Sequence, residues 1–204
     1  MNKVLVVFAH PALERSLVHN ALLKKILGVA SITFNDLYEH YPDFCIDVAR
    51  EQSLLLEHDV IVFQHPFYWY SVPPLLKQWF DLVLEHDFAY GHKGSALRGK
   101  YWQSVISTGG SESAYKDEGY NHGSMTSFLS PLRATADLCG MHFLPSAVIY
   151  GSHHLENDRP LLEAHCDHYG QLLRCLSKAD LSSISFDRIH NPLEEMQTLL
   201  SEES

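Results

Sequence analysis

The residues best suited to bind a ligand include four consecutive aromatics, Phe67-Tyr68-Trp69-Tyr70, which follow Pro66 and precede Pro73-Pro74. An apolar run ends just before them and an amphipathic helical pattern begins just after them. A strand that ends where a helix begins lies at the carboxyl edge of an open α/β sheet, where such sheets bind ligands. Aromatic faces there favour a flat, conjugated ligand. A buried aromatic cluster that caps the sheet is the alternative.

Two further loops carry complementary groups. The first runs from His10 towards Asn20 and includes Ser16, so it offers hydroxyl and backbone donors at a helix N-terminus, which suit a phosphate. The second, Ser107-Thr108-Gly109-Gly110, lets the backbone approach a ring closely, because glycine has no Cβ. A phosphate cradle beside two ring-contacting loops describes a flavin mononucleotide (FMN) site. A generic small-molecule pocket remains the alternative.

The elements that position these loops alternate between strands and helices. Apolar runs predict five strands, at residues 4–8, 31–34, 60–63, 102–107 and 143–150. Periodic apolar residues predict helices after Ser16, over 48–58, from Pro73-Pro74, over 125–138 and from Pro160. Such alternation predicts a flavodoxin-like three-layer α/β sandwich with a five-stranded parallel sheet of order 2-1-3-4-5. The three loops then meet at one edge.

The predicted domain covers residues 1–178, and residues 179–204 form a polar tail with one short helix over 193–200. Residues 36–46 are expected to be a loop. With 204 residues and 46% apolar content, the chain can bury one full core.

Composition excludes several classes of function. A formal net charge of −10 argues against nucleic acid and against a polybasic membrane anchor. Because no apolar run approaches the roughly 20 residues of a membrane span, we expect no direct membrane insertion. Met1-Asn2-Lys3 leads directly into a strand, so we expect no signal peptide. The four cysteines are scattered without a Cys-x-x-Cys pair, which favours a reduced, cytoplasmic protein.

Some motifs are better explained as ordinary structure. Gly94-x-x-x-x-Gly99-Lys100 copies most of a P-loop, but Tyr101 replaces the required Ser or Thr and a strand follows instead of preceding it. His165-Cys166-Asp167-His168 suggests a solvated helix face, and we expect no metal site. Cys45 is expected to be an unremarkable buried cysteine. Because no Gly-x-Gly-x-x-Gly is present, NAD(P)H would visit a flavin site and would not occupy a Rossmann pocket.

A combination of motifs resembles the NAD(P)H:quinone oxidoreductase family of flavodoxin-like FMN or FAD enzymes. The motifs are His10-Pro11, Gln64-His65-Pro66-x-x-Trp69-Tyr70, Pro73-Pro74-Leu75-Leu76-Lys77-x-Trp79 and Thr108-Gly109-Gly110-Ser111. Tyr41-Pro42-Asp43-Phe44 and Phe88-Ala89-Tyr90-Gly91 are most similar to a narrower branch, the cytoplasmic ancillary proteins of glutathione-gated potassium-efflux antiporters. The resemblance covers residues 3–176.

This resemblance implies a set of cofactor-binding residues for FMN, with FAD as the other candidate. The phosphate and ribityl chain would be held by His10, Ser16, Leu17, Val18 and His19. The isoalloxazine edge would be wrapped by Pro66, Phe67, Tyr68, Trp69 and Tyr70, and its other side by Ser107, Thr108, Gly109 and Gly110. Many relatives have Asn at the position of His19, and this chain has Asn20 one place later.

The resemblance also implies a catalytic pair, Tyr115 and His122, which occupy the places of a Tyr and a His beside the flavin. The match at His122 needs a one-residue insertion. A phenol and an imidazole suit charge stabilisation during hydride transfer, because both donate hydrogen bonds and His changes protonation near neutral pH. Two surface loop residues are the alternative.

The expected function is two-electron reduction of a quinone by NAD(P)H through FMN, in a homodimer that regulates a potassium-efflux antiporter. Membrane association, where it occurs, would go through that protein partner. A non-catalytic flavin-binding regulatory module and a flavodoxin-like one-electron carrier are the alternatives.

Overall fold

The computed structural model describes residues 1–26, 32–184, 186 and 189–195. Within them, six strands form one sheet, and every paired strand is parallel to its neighbour. The strands are β1 (Val4–Phe8), β2 (Ile32–Asp36), β3 (Val60–Pro66), β4 (Tyr101–Ser107), β5 (His142–Phe143) and β6 (Ala147–Ile149). Their order, β2-β1-β3-β4-β5 with β6 also on β4, confirms the predicted flavodoxin-like topology.

Helices cover both faces of the sheet. They are α1 (Leu17–Ile26), α2 (Leu37–His40), α3 (Val48–Glu57), α4 (Pro74–Val83), α5 (Met125–Phe128), α6 (Ser130–Leu138) and α7 (Arg159–Lys178). Alternate residues of β1 point to opposite layers: Val4 and Val6 pack with α1 and α7, and Leu5 and Val7 pack with α3, α4 and α6. This alternation places both helix layers against a sheet that is buried on both faces.

The predicted fifth strand, 143–150, is split into β5 and β6. Pro145 lies between them, and proline lacks the N–H that a continuous ladder needs. The side chain of Gln103 bridges the break by donating to the Pro145 carbonyl at 2.9 Å. Both halves still pair with β4, so the order of the sheet is unchanged.

Two helix predictions need correction. The expected loop 36–46 contains α2, which begins because the Asp36 carboxylate accepts from the backbone N–H groups of Tyr38 and Glu39 at 3.0 and 3.3 Å. The pattern Asp36-x-x-Glu39 was the sequence signal for this cap. The expected helix 125–138 is interrupted at Leu129, because Pro131 has no N–H to continue the helical hydrogen bonds and fits only the first turn of a new helix, α6.

The segment after α7 has a polar composition, but its apolar side chains pack against the core. Leu181, Ile184, Ile189 and Leu193 are buried against the α1–α7 side of the core. The Asn191 side chain accepts from the Val148 N–H at 3.0 Å and donates to the Val148 carbonyl at 2.8 Å, so it covers the edge of β6. Of the predicted helix 193–200, residues 193–195 form a turn and the rest lie outside the described residues. The domain boundary at 178 stays a prediction.

Candidate functional site at the carboxyl edge of the sheet

The loop after β1 places free donors at the start of α1. The Ser16 hydroxyl caps the helix by accepting from the His19 backbone N–H at 3.2 Å. Among the described residues, the backbone N–H groups of Leu17 and Val18 have no hydrogen-bond acceptor. The Asn20 side chain holds the preceding turn by donating to the carbonyls of Leu13 and Ser16 at 2.7 and 2.8 Å. Two free N–H groups at a helix N-terminus fit a phosphate.

His10 lies at the start of the same loop, two residues after the end of β1. Its Nδ1 accepts from the Ala12 backbone N–H at 3.2 Å, and its ring lies 6.1 Å from the Tyr68 ring, edge on. Burial lowers the pKa of His10, and Glu14 offsets part of that shift. His10 is therefore a neutral hydrogen-bonding group near pH 7 and supplies no positive charge to the loop.

His19 is placed differently from a direct ligand-binding residue. Its side chain is fully buried. Its Nε2 lies 2.8 Å from the Ser107 hydroxyl and its Nδ1 lies 3.3 Å from the Gln64 amide nitrogen. Both ring nitrogens are thus occupied within the chain, and a role for His19 towards a ligand would be indirect.

The loop after β3 carries the aromatic run and is strained at its tip. Phe67 is buried, whereas Trp69 is 92% exposed. Trp69 and Tyr70 have φ angles of 49° and 61°, a region that costs a non-glycine residue about 1–3 kcal/mol. A bridge between Tyr68 and Ser71 closes the turn. Strain of this kind concentrates at functional sites, and here it presents an indole ring to solvent.

The glycines after β4 make room for side chains of the same chain. A Cβ on Gly109 would lie 2.6 Å from Nε2 of His153, and a Cβ on Gly110 would lie 2.9 Å from Cε2 of Tyr115. The close neighbours at these two positions are side chains of the same protein, and the predicted approach of the glycine backbone to a ligand ring stays a prediction. Thr108 hydrogen-bonds the Tyr115 hydroxyl, which fixes the phenol over the loop.

The predicted catalytic pair lies in the loop between β4 and α5. The half-buried Tyr115 packs in a ring cluster with Phe67, Phe128 and Tyr150, at centroid distances of 6.0, 6.1 and 5.8 Å. His122 is exposed, with φ of 51°. Within the described part of the chain, no hydrogen bond or ring contact joins Tyr115 to His122. The structure brings both to one loop without linking them.

Sequence reasoning missed several residues at this edge. They are Gln64, Phe128, Tyr150, His153 and Tyr169. The loop after β6 is tied to the glycine loop, because Ser152 donates to the Thr108 carbonyl at 2.9 Å and Gly151 to the Gly110 carbonyl at 2.8 Å. Burial raises the pKa of Tyr150 to about 12. Tyr169 lies on the buried face of α7, and no sequence signal indicated that its hydroxyl reaches this edge.

Several other residues lie away from this site. Cys45 is exposed, which contradicts the expected burial. The P-loop-like segment precedes β4, at the opposite edge, and its Lys100 donates to the Leu56 carbonyl at 3.2 Å. His165 is buried, not solvated, and His168 donates to the Leu193 carbonyl, which anchors the segment after α7. In the described residues, no group of His, Cys, Asp or Glu side chains has the arrangement of a metal site.

The described helices include none that combines the length and the apolar character of a membrane span. The sheet order and the convergence of the three loops define a flavodoxin-like α/β protein with a candidate nucleotide site at the carboxyl edge. The family model described as "Flavodoxin-like fold" matches residues 2–173, and the chain belongs to this family.

Individual relatives refine this placement. The ancillary protein KefG of the glutathione-regulated potassium-efflux system of Serratia proteamaculans is 47% identical over 84% of this chain and 93% of its own length. A crystal structure of general stress protein 14 from Treponema denticola, in complex with FMN, is 36% identical, with a TM-score of 0.81 over 86% of this chain and 99% of that one. An NADPH-quinone reductase from P. pentosaceus is 33% identical, with a TM-score of 0.73 over 83% and 96%.

Proposed function

We propose that this chain is an FMN-dependent NAD(P)H:quinone oxidoreductase that also serves a potassium-efflux system as an ancillary protein. The observation that carries the proposal is the free pair of N–H groups at Leu17 and Val18, which lies at the same sheet edge as the aromatic and glycine loops. This arrangement fits a phosphate linked to a flat ring. The FMN complex of the T. denticola relative supports FMN over FAD.

The bound flavin would supply two-electron hydride chemistry, and the chain would supply orientation and electrostatics. Leu17 and Val18 would hold the phosphate through their backbone N–H groups, and Ser16 would keep the helix start in place. The neutral His10 would donate a hydrogen bond without adding charge. Trp69 and Tyr70 would cover the ring, and Tyr115, fixed by Thr108, would stabilise charge at the reacting edge together with His122.

The quinone-reductase role is supported by the P. pentosaceus relative, and the ancillary role by KefG. We infer a cytoplasmic homodimer in which the exposed ring of Trp69 is part of an apolar surface for a second copy or a partner. Any contact with a membrane would go through a protein partner such as the antiporter. With a net charge of −10, the protein should not sediment with anionic liposomes that lack this partner.

A non-catalytic flavin-binding regulator is the second candidate. It is favoured by the ancillary role in the names of the KefG relatives and by the lack of contact between Tyr115 and His122 in the described chain. A flavodoxin-like one-electron carrier would share the same fold. These alternatives keep the flavin site but predict no rapid reduction by a pyridine nucleotide.

Calorimetric titration with FMN tests the site that all three functions share. We expect measurable heat, one FMN per chain, and a melting temperature that rises with the FMN concentration, because a ligand that binds only the native state stabilises it. FAD in a parallel titration distinguishes the two cofactors. Absence of both heat and stabilisation at saturating FMN would contradict the proposed site.

A further inference from the structure

A buried chain of hydrogen bonds runs from α7 to the carboxyl edge of the sheet. The Tyr169 hydroxyl donates to Oε1 of Gln64 at 2.6 Å, and Nε2 of Gln64 lies 3.3 Å from Nδ1 of His19. Nε2 of His19 then lies 2.8 Å from the Ser107 hydroxyl. The first three side chains are fully buried, and Ser107 is 6% exposed. Four residues from four different elements are thus linked in a single line.

The Tyr169 end of this series of hydrogen bonds determines which group donates and which accepts in each bond. The Tyr169 phenol is buried, and in the described residues Oε1 of Gln64 is the acceptor that its hydroxyl can reach. Because a buried hydroxyl needs an acceptor, Gln64 must turn its oxygen towards Tyr169 and its NH₂ group towards His19. Nδ1 of His19 then accepts, so the proton of the neutral imidazole resides on Nε2.

The His19 imidazole links the two ends of the series, because Nδ1 faces Gln64 and Nε2 faces Ser107. His19 stays neutral, since burial lowers its pKa well below the ordinary value and nearby His10 and His65 lower it further. Its Nε2–H group donates to the Ser107 oxygen. The hydroxyl proton of Ser107 is left without an acceptor in the described part of the chain, at the end of β4 where the glycine loop begins.

We infer that Tyr169, Gln64 and His19 are positioning residues that make the Ser107 hydroxyl a hydrogen-bond donor towards the ligand at the carboxyl edge. The ligand must therefore present an acceptor to Ser107, such as a carbonyl oxygen, a phosphate oxygen or an unprotonated ring nitrogen. The donor direction rests on the hydrogen-bond geometry of the four side chains. Its use in holding a flavin rests on the proposed function.

Nitrogen-15 NMR of the flavin-free protein tests the direction. The His19 signals are identified by their loss in His19→Asn, and we expect Nε2 protonated and Nδ1 unprotonated. Tyr169→Phe keeps the ring but removes the donor, so Gln64 is free to flip and His19 should show both tautomers. Gln64→Glu has no N–H to offer, so Nδ1 should become protonated. Tyr101→Phe removes a hydroxyl from β4 outside the chain of bonds and should leave the His19 signals unchanged.

Two results would overturn the inference: protonation of Nδ1 in the unsubstituted protein, or an unchanged single tautomer in both Tyr169→Phe and Gln64→Glu. Melting curves verify that each variant is folded. Each variant alone removes a group that fixes the direction, the Tyr169 hydroxyl in one and the Gln64 N–H group in the other, so either is sufficient for the test if the other does not fold.

FMN titration tests separately whether the Ser107 hydroxyl, as a donor, contributes to flavin binding. Ser107→Ala should weaken FMN binding about tenfold, the usual effect of losing one hydrogen bond, and Tyr169→Phe about two- to fivefold. FMN binding that is unchanged in Ser107→Ala would overturn the donor role towards the flavin. If the unsubstituted protein shows the expected tautomer but binds no FMN, the proposed function fails and the hydrogen-bond direction stands.

Discussion

At the scale of single residues, the candidate site uses neutral hydrogen-bonding groups in place of charges. His10, His19 and His65 all have pKa values lowered by burial, and the free donors of α1 are backbone N–H groups. Uncharged donors bind an anion less strongly than Lys or Arg would. Under the proposed function, they would leave the charge of the flavin ring to be set by the side chains that surround it. Under the proposed function, hydride transfer would therefore be assisted chiefly by Tyr115 and His122.

Tyr115→Phe and His122→Ala should slow hydride transfer while leaving FMN binding nearly intact. Each loses hydrogen-bond or acid–base assistance, which is worth about ten- to ten-thousand-fold, or roughly 1.4 to 5.5 kcal/mol. Because both would act on the same developing charge, the double variant should lose less than the sum of the two. Rapid-reaction kinetics measures this effect. Tyr120→Phe, in the same loop and 87% exposed, is the matched control. Rates equal to those of the unsubstituted protein would make the pair ordinary loop residues.

His65 should make the protein less stable in mild acid. Burial lowers its pKa from 6.5 to about 4, against a smaller opposite effect of its hydrogen bond to the Pro66 carbonyl. Below pH 6.5 the unfolded chain binds a proton that the folded chain does not bind until about pH 4. The free energy of unfolding should therefore fall by about 2 kcal/mol from pH 7 to pH 5 through this group. Urea unfolding at the two pH values measures the change.

His65→Gln should reduce this fall in the free energy of unfolding between pH 7 and pH 5. The pH dependence that remains would come from other buried groups such as His19. His92→Gln, on the surface, should retain the full pH dependence. Equal pH dependence in His65→Gln and the unsubstituted protein would show that His65 is not protonated on unfolding in this range.

At the scale of elements, a buried carboxylate joins β2, α3, α4 and the loop after α2. Oε2 of Glu51 accepts from Asn35 and Trp79 at 2.7 and 2.8 Å, and Oε1 accepts from Tyr41 at 2.7 Å and from Arg50. Both oxygens of this fully buried carboxylate are therefore paired. The network fixes α4, whose first residue follows the aromatic loop by a few positions.

Glu51→Gln should destabilise the fold by about 3–5 kcal/mol. Its NH₂ group would face donors in place of an acceptor, and the Arg50 charge would lose its partner. Glu57→Gln, at the exposed end of the same helix, should change stability by less than about 0.5 kcal/mol. Chemical denaturation compares the two. A small effect in Glu51→Gln would show that the network relaxes around an amide.

Trp69→Ala tests the aromatic loop. The side chain is 92% exposed, so its loss should leave the melting temperature nearly unchanged. If the indole covers the ring, FMN affinity should fall about tenfold, equivalent to 1.4 kcal/mol, as measured by calorimetry. Tyr120→Ala removes another exposed aromatic and should not alter affinity. Unchanged affinity in Trp69→Ala would show that the indole does not cover the flavin.

At the scale of the whole molecule, the sheet order and the meeting of the three loops were predictable, because buried strands and connecting helices each leave a local pattern. The breaks at Pro145 and Leu129 were not predicted, although proline marked both places. The sequence indicated which loops meet at the candidate site, but not the hydrogen bonds that join their side chains. The hydrogen bond from Tyr169 to Gln64 joins residues 105 positions apart, and periodicity along the chain carries no information about such a contact.

Mixing the FMN-loaded protein with NADH or NADPH in the absence of oxygen tests most directly whether flavin at the carboxyl edge accepts hydride. We expect rapid loss of the visible flavin absorbance with at least one of the two nucleotides, and its return when a quinone is added, in a single two-electron step. Retained absorbance with both nucleotides, in protein that binds FMN, would contradict the oxidoreductase function and favour the non-catalytic regulator.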